Sequence, residues 1–248
     1  MQRPKLRTST INSPSAWLPA PKEMTILPDE IHIWRIDLDQ SESTLKHFAT
    51  ILSADELSRA DRFYFQQHRQ RFTAGRGILR TILSQYLNVT PGEVEFSYEE
   101  FGKPVLSEKF SDRKIWFNLS HCQGLALLAV CQNRPIGIDL EYVRPVSDVL
   151  SLAQQFFSTN EYAVMRSLSP YQKQEIFFRY WTCKEAYLKA TGAGISQLQK
   201  IEVSINGNEP AKLLSVSDWS LLELVPEHNT VAAIAVPGKI SSIKCWQY

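Results

Sequence analysis

The sequence lacks the features of disulfide-rich, membrane-spanning and strongly basic proteins. Its four cysteines are scattered and form no C-x-x-C pair, so we expect reduced thiols and neither a disulfide framework nor a structural zinc site. No apolar run approaches the length of a membrane span. The net charge is only +1, which gives no bulk attraction for nucleic acid. Any anion-binding site must therefore be built from a few placed basic residues.

The N-terminus also lacks a secretory signal, because no apolar segment follows its basic residues. Together with the unpaired cysteines, this predicts a cytoplasmic protein with no membrane or nucleic-acid partner. The chain has 248 residues, of which 44% are hydrophobic, enough to build one large domain or two small ones.

The order of predicted elements suggests two lobes. Residues 1–30 carry five of the thirteen prolines and are predicted to be either a loose N-terminal extension or a segment that lies over the domain. Capping-box signatures at 53–56 and 158–161 predict helix starts, and long helices are expected over 66–87 and 170–191. A first strand with imperfect alternation is expected over 31–38. Short strands are expected between 94 and 142, the first over 94–98, and again in the tail, the first over 201–205. We therefore predict an α+β fold of two similar lobes, 31–145 and 146–248, and the size favours a monomer.

The segment Gly137-Ile138-Asp139-Leu140-Glu141 places two carboxylates on one face of a predicted strand. Two such charges, ~7 Å apart along a strand, repel each other unless a cation lies between them. Mg²⁺ accepts one or two carboxylates and leaves other positions for water and phosphate. A solvated acidic strand face explains the same pattern, so the segment alone leaves both readings open.

The segment 181–189, WTCKEAYLK, lies on the second long predicted helix. On a helical wheel Lys184 falls in the middle of a stripe of apolar and aromatic residues. It must either extend to the surface or hold an anion at the edge of the core. Glu185 and Lys189 flank the stripe at i,i+4, where a surface salt bridge is the alternative to a functional role.

Other polar residues give weaker signals. Ser120 and His121 end a predicted strand and could donate hydrogen bonds to a phosphate, or cap their own turn. Lys103 precedes Pro104, which stiffens its backbone. Arg71 and Arg76 lie on the first long helix, and arginine suits phosphate oxygens, although helical arginines are mostly solvated.

Six motifs in order closely resemble the 4′-phosphopantetheinyl transferases of the surfactin-synthetase-activating (Sfp) type. They are GRGILR (75–80), FGKP (101–104), FNLSHC (117–122), GIDLEYV (137–143), FFSTNE (156–161) and WTCKEAYLK (181–189). The resemblance spans residues from about 50 to 195. It implies two α+β lobes about a pseudo-twofold axis, with coenzyme A in the cleft between them.

The resemblance also implies roles for individual residues. Asp139, Glu141 and Glu185 match the metal-binding carboxylates. Lys184 and Lys189 match lysines near the diphosphate. The positions that hold the 3′-phosphate, the ribose or the diphosphate of coenzyme A are matched by Arg76, Lys103 with Pro104, Ser120 and His121, to which Arg71 is added.

The implied reaction moves the 4′-phosphopantetheine group from coenzyme A to a serine of an apo carrier protein, with Mg²⁺ (or Mn²⁺) as cofactor. The catalytic candidates are Glu185, Lys184 and Glu161. The base that takes the serine proton is left open between Glu185, Glu161 and a water molecule. Glu161 is also the third residue of a capping box, which is a purely structural role.

Two departures from the family pattern concern substrate binding. Cys122 stands where Ser or Thr usually follows the histidine, and Glu56 stands where a lysine can occur. The carriers served, from fatty-acid, polyketide or nonribosomal peptide synthesis, are not identified by the sequence. Arg62, Arg69 and Arg80 are candidates for contacting an acidic carrier helix. Two alternatives remain: a Mg²⁺-dependent hydrolase of the coenzyme A diphosphate, and a non-catalytic module that binds carrier proteins.

Overall fold

A computed structural model describes residues 17–21, 23–206 and 209–248. Within these ranges the α-helices are α1 Glu42–Ile51, α2 Ala54–Asp61, α3 Gln66–Leu87, α4 Val149–Phe156, α5 Thr159–Ser167 and α6 Pro170–Thr191. The strands are β1 Leu18–Pro19, β2 Glu30–Asp37, β3 Phe96–Tyr98, β4 Pro104–Leu106, β5 Ile115–Cys122, β6 Leu125–Gln132, β7 Gly137–Tyr142, β8 Val203–Ser204, β9 Lys212–Leu213, β10 Trp219–Leu224, β11 Thr230–Pro237 and β12 Ser242–Gln247. Most of the predicted N-terminal extension, residues 1–16 and 22, lies outside the described residues.

Local sequence signals set the helix boundaries. The side chain of Glu56 accepts a hydrogen bond from the backbone N–H of Ser53, as a capping box requires, and α2 begins there. The same arrangement joins Glu161 to Ser158 at the start of α5. Helix α6 ends at Gly192, whose φ of 73° is the left-handed conformation that glycine adopts without strain. The boundaries predicted for α3 and α6 are confirmed.

The strands form two main sheets and two small hairpins. The larger sheet has the order β1-β12-β2-β6-β5, and the smaller has the order β10-β11-β7. In the larger sheet β12 runs parallel to β2, while β2, β6 and β5 pair antiparallel. In the smaller sheet every pairing is antiparallel. The hairpins are β3–β4 and β8–β9.

The chain forms four layers, two of helices outside and two sheets inside, with an apolar core between each pair of neighbouring layers. The first core joins α1 and α3 to one face of the larger sheet, and includes Trp34, Ile78 and Leu128. The second core joins α4, α5 and α6 to one face of the smaller sheet. The third core lies between the two sheets. The inner strands are therefore buried on both faces, which explains why β2 shows only imperfect alternation in the sequence.

The layers form two lobes, each a 22-residue helix (α3 or α6) packed on its own sheet. The predicted α+β class with two lobes is confirmed. Two strands cross the predicted boundary near residue 145. Strand β7 precedes the boundary but pairs in the smaller sheet, and β12 follows it but pairs in the larger sheet. The exact division of the chain into domains stays a prediction.

Some local predictions differ from the structure. Helix α1 was not anticipated, although Ser41 caps it by accepting a hydrogen bond from the backbone of Thr44. The strands near 94–98 and 201–205 are shorter than predicted. Arg80, a candidate for contacting a carrier protein, is buried and hydrogen-bonds Glu56, so that assignment is wrong. None of the helices in the described ranges combines the length and apolar character needed to cross a membrane.

Candidate active site

A glycine allows helix α6 to approach strand β7 closely. A Cβ atom at Gly137 would lie 1.9 Å from the backbone oxygen of Ala186, so no larger residue fits without a shift. Gly137, Asp139 and Glu141 share one face of β7, because side chains alternate along a strand. This packing brings the acidic face of β7 against the segment of α6 that carries Glu185 and Lys189.

Asp139 is the centre of the resulting cluster. Its Oδ1 atom accepts hydrogen bonds from Lys189 Nζ at 2.6 Å and from Ser120 Oγ at 3.0 Å. Its Oδ2 atom is buried and has no hydrogen-bond partner among the described residues. A buried carboxylate oxygen without a partner is costly, so a cation at Oδ2 would stabilise it. Ser120 and Lys189 are also joined to each other, at 3.1 Å.

The other two candidate metal ligands lie beside Asp139. Glu141 accepts a hydrogen bond from Arg144 at 3.1 Å through Oε2. Burial raises the pKa of Glu185, and the negative charges of Asp139 and Glu141 raise it further, partly offset by Lys189. The negative charges of Asp139 and Glu141 therefore act on the carboxyl group of Glu185. No group of three His, Cys, Asp or Glu side chains in the described part of the chain is already arranged to hold a metal ion.

A cavity of about 420 Å³ lies in the first lobe, beside this cluster. Basic and aromatic side chains line it together with the ends of β4 and β5. Four of the predicted coenzyme A residues, Arg71, Arg76, Pro104 and His121, are among the lining residues. Burial lowers the pKa of His121, and the positive charges of Lys189 and Arg71 lower it further. His121 therefore connects the cavity electrostatically to the cluster around Asp139.

Two of the arginines that line the cavity are held by acidic partners. Arg71 donates to both carboxylate oxygens of Asp39, at 2.7 and 2.8 Å. Arg76 donates to Glu56 at 2.7 Å and to the hydroxyl of Tyr98 at 2.7 Å. Such fork-shaped contacts fix the guanidinium planes. Glu56 is thus a buried partner of arginine, which accounts for an acidic residue where the family pattern can have a lysine.

Lys103 links the two lobes. Its ammonium donates to the backbone oxygen of Lys189 at 2.6 Å and lies 3.6 Å from Glu99. Burial lowers the pKa of Lys103, while the charge of Glu99 opposes that effect. The hairpin β3–β4 therefore touches the end of α6 at the residue that also contacts Asp139.

Lys184 and Glu161 lie apart from this cluster, within the second lobe. Lys184 has no exposed side-chain surface, and its ammonium lies 2.5 Å from Glu161 Oε2 and donates to the backbone oxygen of Leu198 at 3.0 Å. Glu161 also accepts hydrogen bonds from the backbone of Ser158 and of Val203. The sequence left two alternatives for Lys184, and the structure shows the second: its ammonium holds an anion inside the core. That anion is the carboxylate of Glu161.

Several residues of the cavity were not predicted as site residues. Its lining also includes Arg59, Phe63, His68, Phe72 and Tyr98. Arg59 lies over the ring of Phe72, 5.6 Å from its centroid. The mixture of aromatic and basic residues between 59 and 72 is the sequence signal that could have identified this wall of the cavity. Asp39, which orients Arg71, gave no signal because it lies 32 residues away in the sequence.

The fold and the site define an enzyme with a carboxylate and lysine cluster beside a basic pocket. Two family descriptions match the chain in succession: "4′-phosphopantetheinyl transferase, N-terminal" over residues 38–133, and "4′-phosphopantetheinyl transferase superfamily" over residues 135–235.

Comparison with known proteins gives the same family. The chain is 60% identical over 232 residues to the 4′-phosphopantetheinyl transferase HetI of Nostoc sp., covering 94% of this chain and 98% of that protein. It is 29% identical over 161 residues to the 4′-phosphopantetheinyl transferase Sfp of Bacillus subtilis, covering 65% and 69% of the two chains. A holo-(acyl-carrier-protein) synthase from Bacillus anthracis, solved in complex with CoA (3′,5′-ADP), matches 42% of this chain and 96% of its own, with 23% identity and a TM-score of 0.37.

The chain belongs to the 4′-phosphopantetheinyl transferase family, and it is an enzyme of that class.

Proposed function

We propose that this enzyme transfers the 4′-phosphopantetheine group of coenzyme A to a serine of an apo acyl or peptidyl carrier protein, giving the holo-carrier and 3′,5′-ADP. The observation that carries the proposal is the position of Asp139. It lies between Lys189 and Ser120, has one buried oxygen without a partner, and adjoins a cavity lined by arginines.

The cavity is the proposed site of the 3′-phosphate and adenosine of coenzyme A. Arg71 and Arg76 provide fixed positive charge there, and His121 and Pro104 complete the wall next to the cluster. The diphosphate is proposed to lie between the cavity and Asp139, within reach of Lys103, Ser120 and Lys189. Lys103 Nζ donates a hydrogen bond to the backbone oxygen of Lys189, and Lys189 Nζ donates one to Ser120 Oγ.

The carboxylates fit a divalent metal ion in their chemistry. Oxygen ligands from carboxylates are those that Mg²⁺ and Mn²⁺ prefer, and the Oδ2 atom of Asp139 has neither water access nor a partner. We assign Asp139, Glu141 and Glu185 as the residues that would hold the ion. When bound, it would neutralise charge on the diphosphate oxygens. The ammonium of Lys189 contacts Asp139 already and offsets part of the same charge.

The transfer forms a bond from the serine oxygen to the β-phosphorus and breaks the bond from that phosphorus to 3′,5′-ADP. The serine proton must leave during this displacement. Glu185 is its proposed acceptor if Asp139 and Glu141 alone hold the ion, and a water molecule is its proposed acceptor if Glu185 is also a ligand. Glu161 is less suited, because both of its oxygens are occupied by buried partners. Alignment and charge neutralisation supply the rest of the rate enhancement.

The remaining assignments follow from the surface and from composition. We propose Arg62 and Arg69, both exposed, as contacts for an acidic carrier helix. We also propose a cytoplasmic monomer that binds neither membranes nor nucleic acid. Lys184, matched to a lysine near the diphosphate, is proposed to act from the core, by fixing α6 through its pair with Glu161.

The release of 3′,5′-ADP distinguishes the proposed reaction from its alternatives. The enzyme is mixed with coenzyme A and Mg²⁺, with and without an apo carrier protein, and the nucleotide product is measured by chromatography. We expect 3′,5′-ADP only when the carrier is present. Release without a carrier would indicate a hydrolase, and binding of coenzyme A without release in either case would indicate a non-catalytic module.

A further inference from the structure

Two strands from separate sheets lie side by side at the active site. Strand β5 is an edge of the larger sheet, and β7 is an edge of the smaller one. β7 carries Asp139 and Glu141, so the seam between these strands decides where the two carboxylates lie. Among the described strands, β7 forms its backbone ladder with β11, on the side away from β5.

Side chains of β5 cross this seam. Asn118 Oδ1 accepts a hydrogen bond from the backbone N–H of Ile138 at 2.8 Å. Ser120 Oγ donates to Asp139 Oδ1 at 3.0 Å, and Cys122 Sγ donates to Glu141 Oε2 at 3.6 Å. The residues 118, 120 and 122 are two apart and therefore share one face of β5. They form a row of contacts where a backbone ladder would otherwise join the strands.

Asn118 differs from Ser120 and Cys122 in holding the backbone of β7. Its side chain is 4% exposed, and it holds the backbone of β7 rather than a side-chain tip. The amide that it holds belongs to the residue immediately before Asp139. An unpaired amide at this buried position would lose a hydrogen bond that water could not replace. Moving this amide would therefore shift Asp139 relative to Ser120 and Lys189.

We propose that Asn118 is a positioning residue for the metal-binding carboxylates, acting through the backbone of Ile138. The inference rests on the proposed function only in taking Asp139 and Glu141 as metal ligands. The hydrogen bond of Asn118 joins it to the backbone of Ile138 and not to either carboxylate, so Asn118 acts indirectly. Outer contacts that orient a metal ligand commonly change metal affinity by about 10–100-fold when they are removed.

The test measures Mn²⁺ binding to the full chain without coenzyme A, by electron paramagnetic resonance of the free ion. Asn118→Leu removes the acceptor and is expected to weaken Mn²⁺ binding by about 10–100-fold. Asn118→Asp keeps an acceptor oxygen in the same place and is expected to bind Mn²⁺ at least as tightly as the wild type. If Asn118→Leu does not fold, Asn118→Ser, whose side chain is one atom shorter, replaces it with the same expectation.

Controls separate this effect from general destabilisation and from the proposed function. Leu83→Ala opens a cavity in the core of the first lobe and should lower the melting temperature without changing Mn²⁺ affinity. If Mn²⁺ binding is lost in Asp139→Ala but is unchanged in Asn118→Leu, the role of Asn118 is overturned and the carboxylate site is not. Wild-type protein that does not bind Mn²⁺, or that binds it equally after Asp139→Ala, would overturn the carboxylate site and this inference with it.

Discussion

At the scale of single residues, the interior of this protein holds charged side chains that neutralise one another. Glu56 is 1% exposed and pairs with Arg76 and Arg80, while Glu161 pairs with the fully buried Lys184. The helical pattern predicted that Lys184 either extends to the surface or holds an anion, and the fold that brings α5 against α6 decides between the two and makes Glu161 the anion. The chemistry of these residues was predictable, and their partners were not.

The buried pair predicts the effect of replacing Lys184. Lys184→Met leaves Glu161 charged and without its ammonium partner in the core, so it should lower the free energy of unfolding by about 3–5 kcal/mol. Urea denaturation followed by circular dichroism measures this change. The exposed Lys212, which pairs with Glu209 at the surface, provides the control Lys212→Met, for which we expect a change below about 1 kcal/mol. A Lys184→Met protein of wild-type stability with reduced activity would instead indicate direct action on the substrate.

At the scale of helices and strands, local sequence signals predicted where helices begin and end, but the sequence did not predict how the strands pair. The bounds of α3 and the capped starts of α2 and α5 follow from short-range periodicity and capping residues. The assignment of β7 to the smaller sheet and of β12 to the larger one does not, because strand pairing depends on contacts distant in the sequence. The position of Asp139 and Glu141 on one face of β7 was therefore predicted, while the side-chain contacts between β5 and β7 were not.

The close approach of α6 to β7 predicts that Gly137 tolerates no side chain. Gly137→Ala places a Cβ against the helix backbone. We therefore expect the free energy of unfolding to fall by at least about 1–3 kcal/mol. Gly92→Ala is the matched control, because a Cβ there meets nothing within 4 Å. Chemical denaturation of both variants makes the comparison, and equal stabilities would show that α6 does not constrain β7.

Glu30 contacts Ser242 and Lys244 of the C-terminal strand β12, and its ionisation makes the stability of the protein depend on pH. Burial opposes ionisation of Glu30, but hydrogen bonds from Lys244, Leu27, His32 and Ser242 lower its pKa from 4.5 to about 2. Because the folded pKa lies below the unfolded value, the contribution of Glu30 is complete above pH 4.5 and is lost as the pH falls towards about 2.

Glu30→Gln should therefore reduce stability at pH 7 and flatten its dependence on pH in the acid range. Unfolding free energies measured at several pH values between about 2 and 7 test this expectation. Glu42→Gln is the control, since Glu42 is 79% exposed and pairs only with Lys46. Parallel pH profiles for wild type and Glu30→Gln would contradict the role given to Glu30.

At the scale of the whole molecule, two lobes meet where the chemistry is proposed to occur. The first lobe supplies the cavity, and the second supplies β7 and α6. Six motifs in the sequence identified the family, and the α+β lobes followed from the order of elements. The four-layer arrangement and the cavity walls formed by residues 59–72 required the structure, because they arise from contacts between distant segments.

The carrier protein is expected to meet the exposed arginines at the first lobe. Replacing both Arg62 and Arg69 with Glu should raise the KM for the carrier several-fold and leave coenzyme A affinity unchanged, because charges at an interface rim mainly affect association. Steady-state kinetics with each substrate varied in turn measure both quantities. Arg166→Glu, an exposed arginine of α5, serves as the control. An unchanged KM for the carrier would place docking elsewhere.

The central claim is that Asp139 anchors a metal-dependent transfer of phosphopantetheine to a carrier protein. Intact mass spectrometry of an apo carrier, incubated with the enzyme, coenzyme A and Mg²⁺, tests it most directly. We expect a gain of one phosphopantetheine group, abolished by Asp139→Ala and by chelation of the metal, and retained by Asp112→Asn, whose side chain is 76% exposed. A carrier that gains the group equally with Asp139→Ala or with a chelator would contradict the account.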